Sequence, residues 1–390
     1  MIDPDAYRVA EANAVRTLSN RVVQVYAPVV FRNTGYPTGI ERPAELVKFV
    51  DVMQETRFTY TVDYMLFGGL TDAELDLAKE ICRITAATLR RLGATPIIPW
   101  NALVRALLNY RHLTFVVPAG ARVLELGPGS GYLGLMLALN GMKYASVDVT
   151  EGFYLWQQAL HREALGDRFV DLALDGAPAL SNTLWNDCDS IHLPWWKYHT
   201  DFPDRDALRF DAVTCNHMLA EMNPASLHYI FEYAKPSRRE NPEAPVFAFE
   251  SFGYDLVNVP QWYVNSRFYQ YGYGLCHHDS LVTVYAPQDA ASGANASAYP
   301  VVDLNNRLDV PQIREMAKQG LAEMWAPRST RSPENPLSRQ VVERREQHKA
   351  LLRHDRAAIV QALSALLPDA APPGEAPDER ALRVFGLGSV

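Results

Sequence analysis

The 390 residues carry 37 Lys and Arg against 45 Asp and Glu, a formal net charge of -8, with 48% apolar and 21% charged residues. That is ordinary for a globular chain long enough for two domains or one enlarged one, and the acidic balance excludes a general nucleic-acid binder, which needs a basic surface to displace counterions. Cys82, Cys188, Cys215 and Cys276 are scattered without CxxC spacing, so neither a disulfide framework nor a zinc site is expected, and reduced thiols in a cytoplasm fit best. The start, "MIDPDAYRVAEANAV", has no apolar h-region, and no apolar run approaches the roughly 20 residues of a membrane span, so neither export nor a membrane partner is expected.

In chain order, residues 1–112 predict a helical region. "RPAELVKFVDVMQETR" places Pro43 at a first helical position with Leu46, Val47, Phe49, Val50 and Met53 behind it. "TDAELDLAKEICRITAATLRRLG" opens with Thr71 and Glu74 in capping-box spacing and ends at Gly93. "PWNALVRALLNYRHL" follows Pro99 as a further helix. No strand alternates with these helices, which predicts a cap for substrate or a homodimer contact over 1–112.

From about 121 the pattern becomes strand–helix alternation, which predicts an α/β, Rossmann-like, doubly wound and mostly parallel sheet over 113–290. "ARVLELG" and "KYASVDVT" are its first two strands, with "GYLGLMLALNG" and "FYLWQQALHREALG" as their helices. The third strand is placed at "SNTLWNDC". "FDAVTCNH", "APVFAFES" and "LVTVYAP" are the later strands, and "PASLHYIFEYAK" follows the fourth as its helix. Residues 291–390 are expected to hold a linker, one long basic helix over "SRQVVERREQHKALLRHDRAAIVQALSALL" and a flexible tail, so the fold carries an N-terminal helical cap and a C-terminal helical extension.

The chemistry begins at "VLELGPGSGYLG", 123–134. Glycines between a strand and a helix let backbone approach a ligand, and the helix N-terminus adds free N–H groups. Gly129, Gly131 and Gly134 satisfy a dinucleotide pattern only in the wrong register. When Gly127 is taken as the first glycine after the strand, Tyr132 stands where the third should be. The framing Glu125-x-Gly127-x-Gly129-x-Gly131 resembles the first motif of class I S-adenosylmethionine-dependent methyltransferases. Asp148 ends the second strand about 20 residues beyond the loop, where a carboxylate accepts ribose hydroxyls. "DSIHLPWW" is similar to the family's segment after the third strand, where an acid and a Leu-Pro-aromatic run cap the adenine. The resemblance implies S-adenosylmethionine as cofactor, held by Glu125, Gly127, Pro128, Gly129, Gly131, Asp148, Val149, Asp189, Ile191 and Asn216. Asp187 competes with Asp189 for the adenine amino group.

The segment "CNHMLAEMNP" after the fourth strand faces the methyl group on this reading. His217 is the expected general base, with Glu221 one turn away to orient it, and His192 is the second candidate. An Asn-Pro-Pro-aromatic run typical of amine-directed members acting on nucleobases is absent, since Asn216 is followed by His217, Met218 and Leu219. That points to a hydroxyl of a small molecule, and "NHMLAEM" adds a looser likeness to bacterial sugar and natural-product O-methyltransferases. Trp195, Trp196 and Tyr198 could wall the acceptor pocket, and the aromatic "QWYVNSRFYQYGYG" could sit at its mouth. "CHHDS" is not read as a metal site, because strand neighbours His277 and His278 point to opposite faces. The rivals are a small-molecule N-methyltransferase, a silent binding subunit of the same fold, aminopropyl transfer (disfavoured by His217) and an NAD enzyme.

Overall fold

The computed structural model describes residues 3–26, 39–52, 58–174, 176–200, 210–216, 218–219, 229–231, 245–251, 267–268, 270–279, 281–287 and 335–373. Contacts divide the chain into two compact units, Met1–Phe210 with Arg345–Val390, and Asp211–Arg344.

The first unit opens with helices. Asp3 caps α1 (Pro4–Val15) by accepting from the Asp5 N–H, and α2 (Asn20–Tyr26) follows. The helix expected from Pro43 is a single 3-10 segment, Pro43–Phe49. Carbonyls at its end are met from outside, Ser130 Oγ donating to Phe49 O at 2.9 Å and the Tyr132 hydroxyl to Val50 O at 2.8 Å, and residues 53–57 of the expected helix lie outside the described residues. A short α3 (Phe58–Tyr60) runs into a π-helical turn, Thr61–Met65, ahead of β1 (Gly69–Leu70).

The capping box forms as expected at the head of α4 (Asp72–Arg91): Thr71 accepts from the Glu74 N–H and the Glu74 carboxylate from the Thr71 N–H. Glu74 is also clamped by Arg111 of α5 (Trp100–Val116), at 2.7 Å from Nε and 2.8 Å from an Nη. Arg111 also donates to the Leu66 and Gly69 carbonyls. Burial alone would raise the Glu74 carboxyl, but the close approach of His348 and the hydrogen bonds from Arg111 outweigh it and bring the pKa down to about 2.

Strand–helix alternation comes next: β2 (Arg122–Leu126), α6 (Tyr132–Leu139), β3 (Lys143–Asp148), α7 (Glu151–Leu165), β4 (Phe169–Asp171), α8 (Asn182–Asp187), β5 (Ser190–Pro194) and α9 (Trp195–Thr200). The strands are parallel in the order β4-β5-β3-β2. Residues Tyr132 to Ala138 of α6 are buried on every side, as an apolar helix packed against both α5 and β3 must be. The segment "SNTLWNDC" is not a strand. Ser181 caps it as α8 by accepting from the Leu184 N–H, and the next strand is "SIHLP" itself, buried at every residue.

The second unit holds β6 (Ala212–Thr214), β7 (Val246–Glu250), β8 (Tyr273–His278) and β9 (Val282–Pro287), in the order β6-β7-β9-β8. β6 and β7 are parallel, whereas β9 runs antiparallel to both neighbours. Phe268 stacks on Tyr285 at 4.0 Å and meets Phe231, Phe247 and Tyr273 edge-on, so the described end of the aromatic stretch is core. His277 bonds Asp279 at 3.0 Å and Ser338 at 2.9 Å, while His278 turns to Thr283. The architecture is α/β and mostly parallel, the Rossmann-like kind the alternation predicts.

The long C-terminal helix is two helices, α10 (Pro336–Lys349) and α11 (Arg356–Ser364), separated by β10 (His354–Asp355). β10 pairs antiparallel with β1, and the Arg353 N–H donates to Leu70 O. Asp355 then caps α11 by accepting from the Ala358 N–H. Backbone pairing and a cap override the amphipathic continuity of the sequence. Among the described residues no helix is long and apolar enough to cross a membrane and no group of three His, Cys, Asp or Glu side chains could hold a metal ion.

Candidate functional site

Parallel strands present their carboxyl ends on one edge, where open α/β sheets bind ligands. On that edge of the first unit the loop 127–131 leaves β2 and enters α6. Gly127, Gly129 and Gly131 all hold positive φ, at 66°, 57° and 76°, which glycine adopts without a steric cost. The loop is braced by Gly127 N–H to Val147 O and Gly131 N–H to Pro128 O. A Cβ on Gly131 would strike Gln157 Cγ at 2.7 Å, whereas a Cβ on Gly129 would meet no described atom within 4 Å. Gly129 therefore borders open space, and Gly131 packs. No side chain caps α6, so its first N–H groups face the loop, the geometry that suits a ligand acceptor atom.

Asp148 ends β3 beside the loop and is 4% exposed. Its Oδ1 accepts from the Thr150 N–H at 2.8 Å and its Oδ2 from Gln157 Nε2 at 2.9 Å. Burial pushes its carboxyl up to about 6 against these hydrogen bonds. The same Gln157 amide donates to Gly129 O, joining the loop to the strand-end acid. Glu125 is buried within β2 and accepts from the Tyr144 hydroxyl at 2.8 Å. Val149, just past β3, offers its N–H to Asp148. These residues form one cradle, and it fits an adenosyl group: backbone donors, a space that a side chain would fill, and a carboxylate for a diol.

Other expected contacts lie elsewhere. Asp189 precedes β5, on the opposite, amino-terminal edge of the sheet, and pairs with Lys143 and Arg168. Asp187 ends α8, exposed at that same edge. Ile191 is fully buried in mid-strand between Ala145 and Val170. None of the three can border a ligand at the carboxyl edge. The reason is a shift of register: the Leu-Pro-aromatic run is the strand's end and not the segment after it.

His192 is also internal to β5. Its Nε2 bonds Gln157 Oε1, which only accepts, so Nε2 carries the proton. Burial holds its pKa well below the usual histidine value, with His161 adding to the shift. A neutral ring stacked flat on Tyr154 at 4.1 Å positions Gln157 and is not suited to general-base work near neutral pH. Asn216 follows β6 in the second unit, where its amide accepts from the Glu250 N–H and donates to Thr214 Oγ1. His217 and Glu221 lie outside the described residues.

Several groups on this edge carried no motif. Asp171 ends β4, and its Oδ1 accepts from the Tyr154 hydroxyl at 3.0 Å and the Ala173 N–H at 2.8 Å. Burial raises its carboxyl to about 6. Helix α1 lies against α7 and α9. Arg8 grips Glu151 at the start of α7 through two nitrogens, at 2.8 and 3.2 Å, and reaches Ile40 O. Glu11 accepts from Trp195 Nε1 at 2.6 Å, and Tyr7 packs on Trp196. Trp195 and Trp196 are thus sealed beneath α1 rather than lining an open wall. Phe49 presses on Gly152, where a Cβ would overlap its ring, so the 3-10 segment also rests on the start of α7.

No family model matches the sequence, and no curated protein matches it by sequence. Solved structures resemble it distantly. The magnesium protoporphyrin IX methyltransferase ChlM of Synechocystis PCC 6803, with bound SAM, is 12% identical over 47% of this chain and 77% of its own, with a TM-score of 0.31. A TehB-like SAM-dependent methyltransferase of Corynebacterium glutamicum is 12% identical over 52% and 93%, with a TM-score of 0.32. A ribosomal protein L11 methylase of Lactobacillus delbrueckii subsp. bulgaricus is 12% identical over 48% and 78%, with a TM-score of 0.30. These are distant likenesses to methyltransferases, and the fold itself stands on the strand order and register.

Proposed function

We propose that the chain is an S-adenosylmethionine-dependent methyltransferase of the cytoplasm that acts on a hydroxyl of a small molecule, a sugar or natural-product intermediate. The observation that carries this reading is the cradle in which Gly129 borders open space while Gln157 ties it to the buried, strand-end Asp148. Asp148 would accept from the ribose hydroxyls, and the 127–131 loop would offer N–H groups to the amino-acid end. Asp171, farther along the same edge, takes the role the sequence assigned to Asp189, accepting from the base amino group. When bound, the sulfonium supplies an electrophilic methyl group. His217 would take the acceptor proton on an imidazole nitrogen with Glu221 orienting the ring, a role drawn from the residues after β6.

Calorimetry with S-adenosylmethionine, S-adenosylhomocysteine and NADH tests this directly. Binding of both adenosyl ligands, loss of at least tenfold in affinity in Asp148→Ala, and no response to NADH are expected. No adenosyl affinity would leave a silent subunit, and NADH binding would favour a dehydrogenase. A panel of alcohols and amines, with wild type and His217→Ala, separates O- from N-methylation.

A further inference from the structure

The adenosyl reading leaves a buried group beside the candidate site unexplained. Tyr7 is 0% exposed, yet among the described residues its hydroxyl has no hydrogen-bond partner. A buried hydroxyl in that condition is costly, and native structures rarely leave one so. Its surroundings are not those of an ordinary core tyrosine. The ring lies 5.1 Å from Tyr154 and 5.0 Å from Trp196, and the hydroxyl feels the charges of Glu11, Asp148, Glu151 and Asp171. Tyr154 links two of these, since its hydroxyl bonds Asp171 and its own environment includes Asp148. Asp171 Oδ2 is the second buried atom here with no partner among the described residues. A donor and an acceptor therefore lack partners among the described residues at the carboxyl edge, joined through Tyr154.

The sheet order gives this shell a direction. The glycine loop leaves β2, Asp148 ends its neighbour β3, and Asp171 ends β4 beyond β5. A nucleoside whose sugar sits at Asp148 and whose 5′ substituent points to the loop directs its base toward Asp171 and the underside of α1. We propose that Tyr7 is a nucleobase contact supplied by the N-terminal helix: its hydroxyl donates to a purine ring nitrogen beside the exocyclic amino group that Asp171 Oδ2 accepts. Arg8 and Glu11, which follow Tyr7 in α1, position it by fastening the helix to Glu151 and Trp195. The inference rests on the adenosyl reading and adds a specificity residue more than 100 residues upstream of the glycine loop.

The test is calorimetry of wild type and Tyr7→Phe with S-adenosylhomocysteine and its 1-deaza and 7-deaza analogues, together with melting of the ligand-free proteins. Tyr7→Phe removes only a hydroxyl that has no partner among the described residues, so the free variant should melt at or above the wild-type temperature. It should bind S-adenosylhomocysteine about 3- to 10-fold more weakly, the loss of one neutral hydrogen bond. One deaza analogue should show a similar loss on wild type and no further loss on Tyr7→Phe. Unchanged affinity in the variant overturns the proposal, as does a lowered melting temperature of the free variant, which would mean the hydroxyl is already bonded within the protein. A deaza penalty equal in both proteins overturns it too. Wild type that binds no adenosyl ligand removes the adenosyl reading along with it, whereas wild type that binds and a variant that binds equally well remove the Tyr7 contact alone.

Discussion

The Gln157 side chain donates to Asp148 Oδ2 at 2.9 Å and, through the same nitrogen, to the carbonyl of Gly129, while its oxygen accepts from His192 Nε2–H. One amide therefore sets the distance between the glycine loop and the strand-end acid. Gln157→Leu would leave these buried groups unpaired, at about 1–3 kcal/mol for each one not rescued by water. The expected result is a lower melting temperature together with weaker adenosyl binding. Gln157→Glu restores the shape but sets a second carboxyl against Asp148, so it should recover stability more than affinity.

Acidity in this site has a defined sign. Burial lifts the Asp148 and Asp171 carboxyls from 3.8 to about 6. Between those values the folded chain holds protons that the unfolded chain has released, so raising the pH through that window lowers stability. The ionised carboxylate is the better acceptor for a diol, so affinity for S-adenosylhomocysteine should rise from pH 5 to pH 7, with proton release on binding near pH 6. Asp148→Asn should shrink both profiles and leave the share that belongs to Asp171. Calorimetry in buffers of different ionisation enthalpy measures the released protons.

Two glycines of the same motif should behave differently. Gly129→Ala meets no described atom, but it forces a residue with a Cβ into φ 57°, a cost of about 1–2 kcal/mol. It should fold, melt slightly lower and lose adenosyl binding. Gly134→Ala would place its Cβ 2.0 Å from the Tyr144 ring, which is held by Glu125 and stacked on His161. Overpacking of this kind costs about 1–3 kcal/mol or more, so the main effect should be thermal destabilisation. Melting curves with and without ligand distinguish the two.

Arg111 and Glu74 make a buried ion pair, with side chains 0% and 4% exposed. Arg111→Met should destabilise the protein by about 3–5 kcal/mol, because it leaves a buried carboxylate short of partners. The Glu74 pKa near 2 gives the opposite pH sign to Asp148: its contribution is present above about 4.5 and lost as pH falls toward 2. Chemical denaturation of wild type and Arg111→Met at pH 7 and pH 3 should show the gap between them narrowing in acid.

Local signals carried much of this architecture. The Thr71–Glu74 spacing, the glycines of 127–131 and the acid ending "YASVD" each express their physics within a few residues, and each takes the form expected. The illegible parts depend on distant partners. β4 is three residues long, too short to show alternation, so Asp171 has no visible strand to end. Asp189 falls on the wrong edge because "SIHLP" reads equally well as a strand or as the loop after one. Nothing near Tyr7 announces that α1 folds back over strand ends far along the chain, and the break before β10 arises from pairing with Gly69 and Leu70, not from its own sequence.

That pairing of β10 with β1 has a consequence for biogenesis. β1 and Glu74 precede the whole sheet in the chain, whereas their partners β10 and His348 follow it, so these contacts form only after the intervening sheet has been synthesised. Such long-range closure slows folding. Until β10 pairs, the β1 edge and one side of Glu74 lack these partners, so closure of this part of the first unit is a late, long-range step.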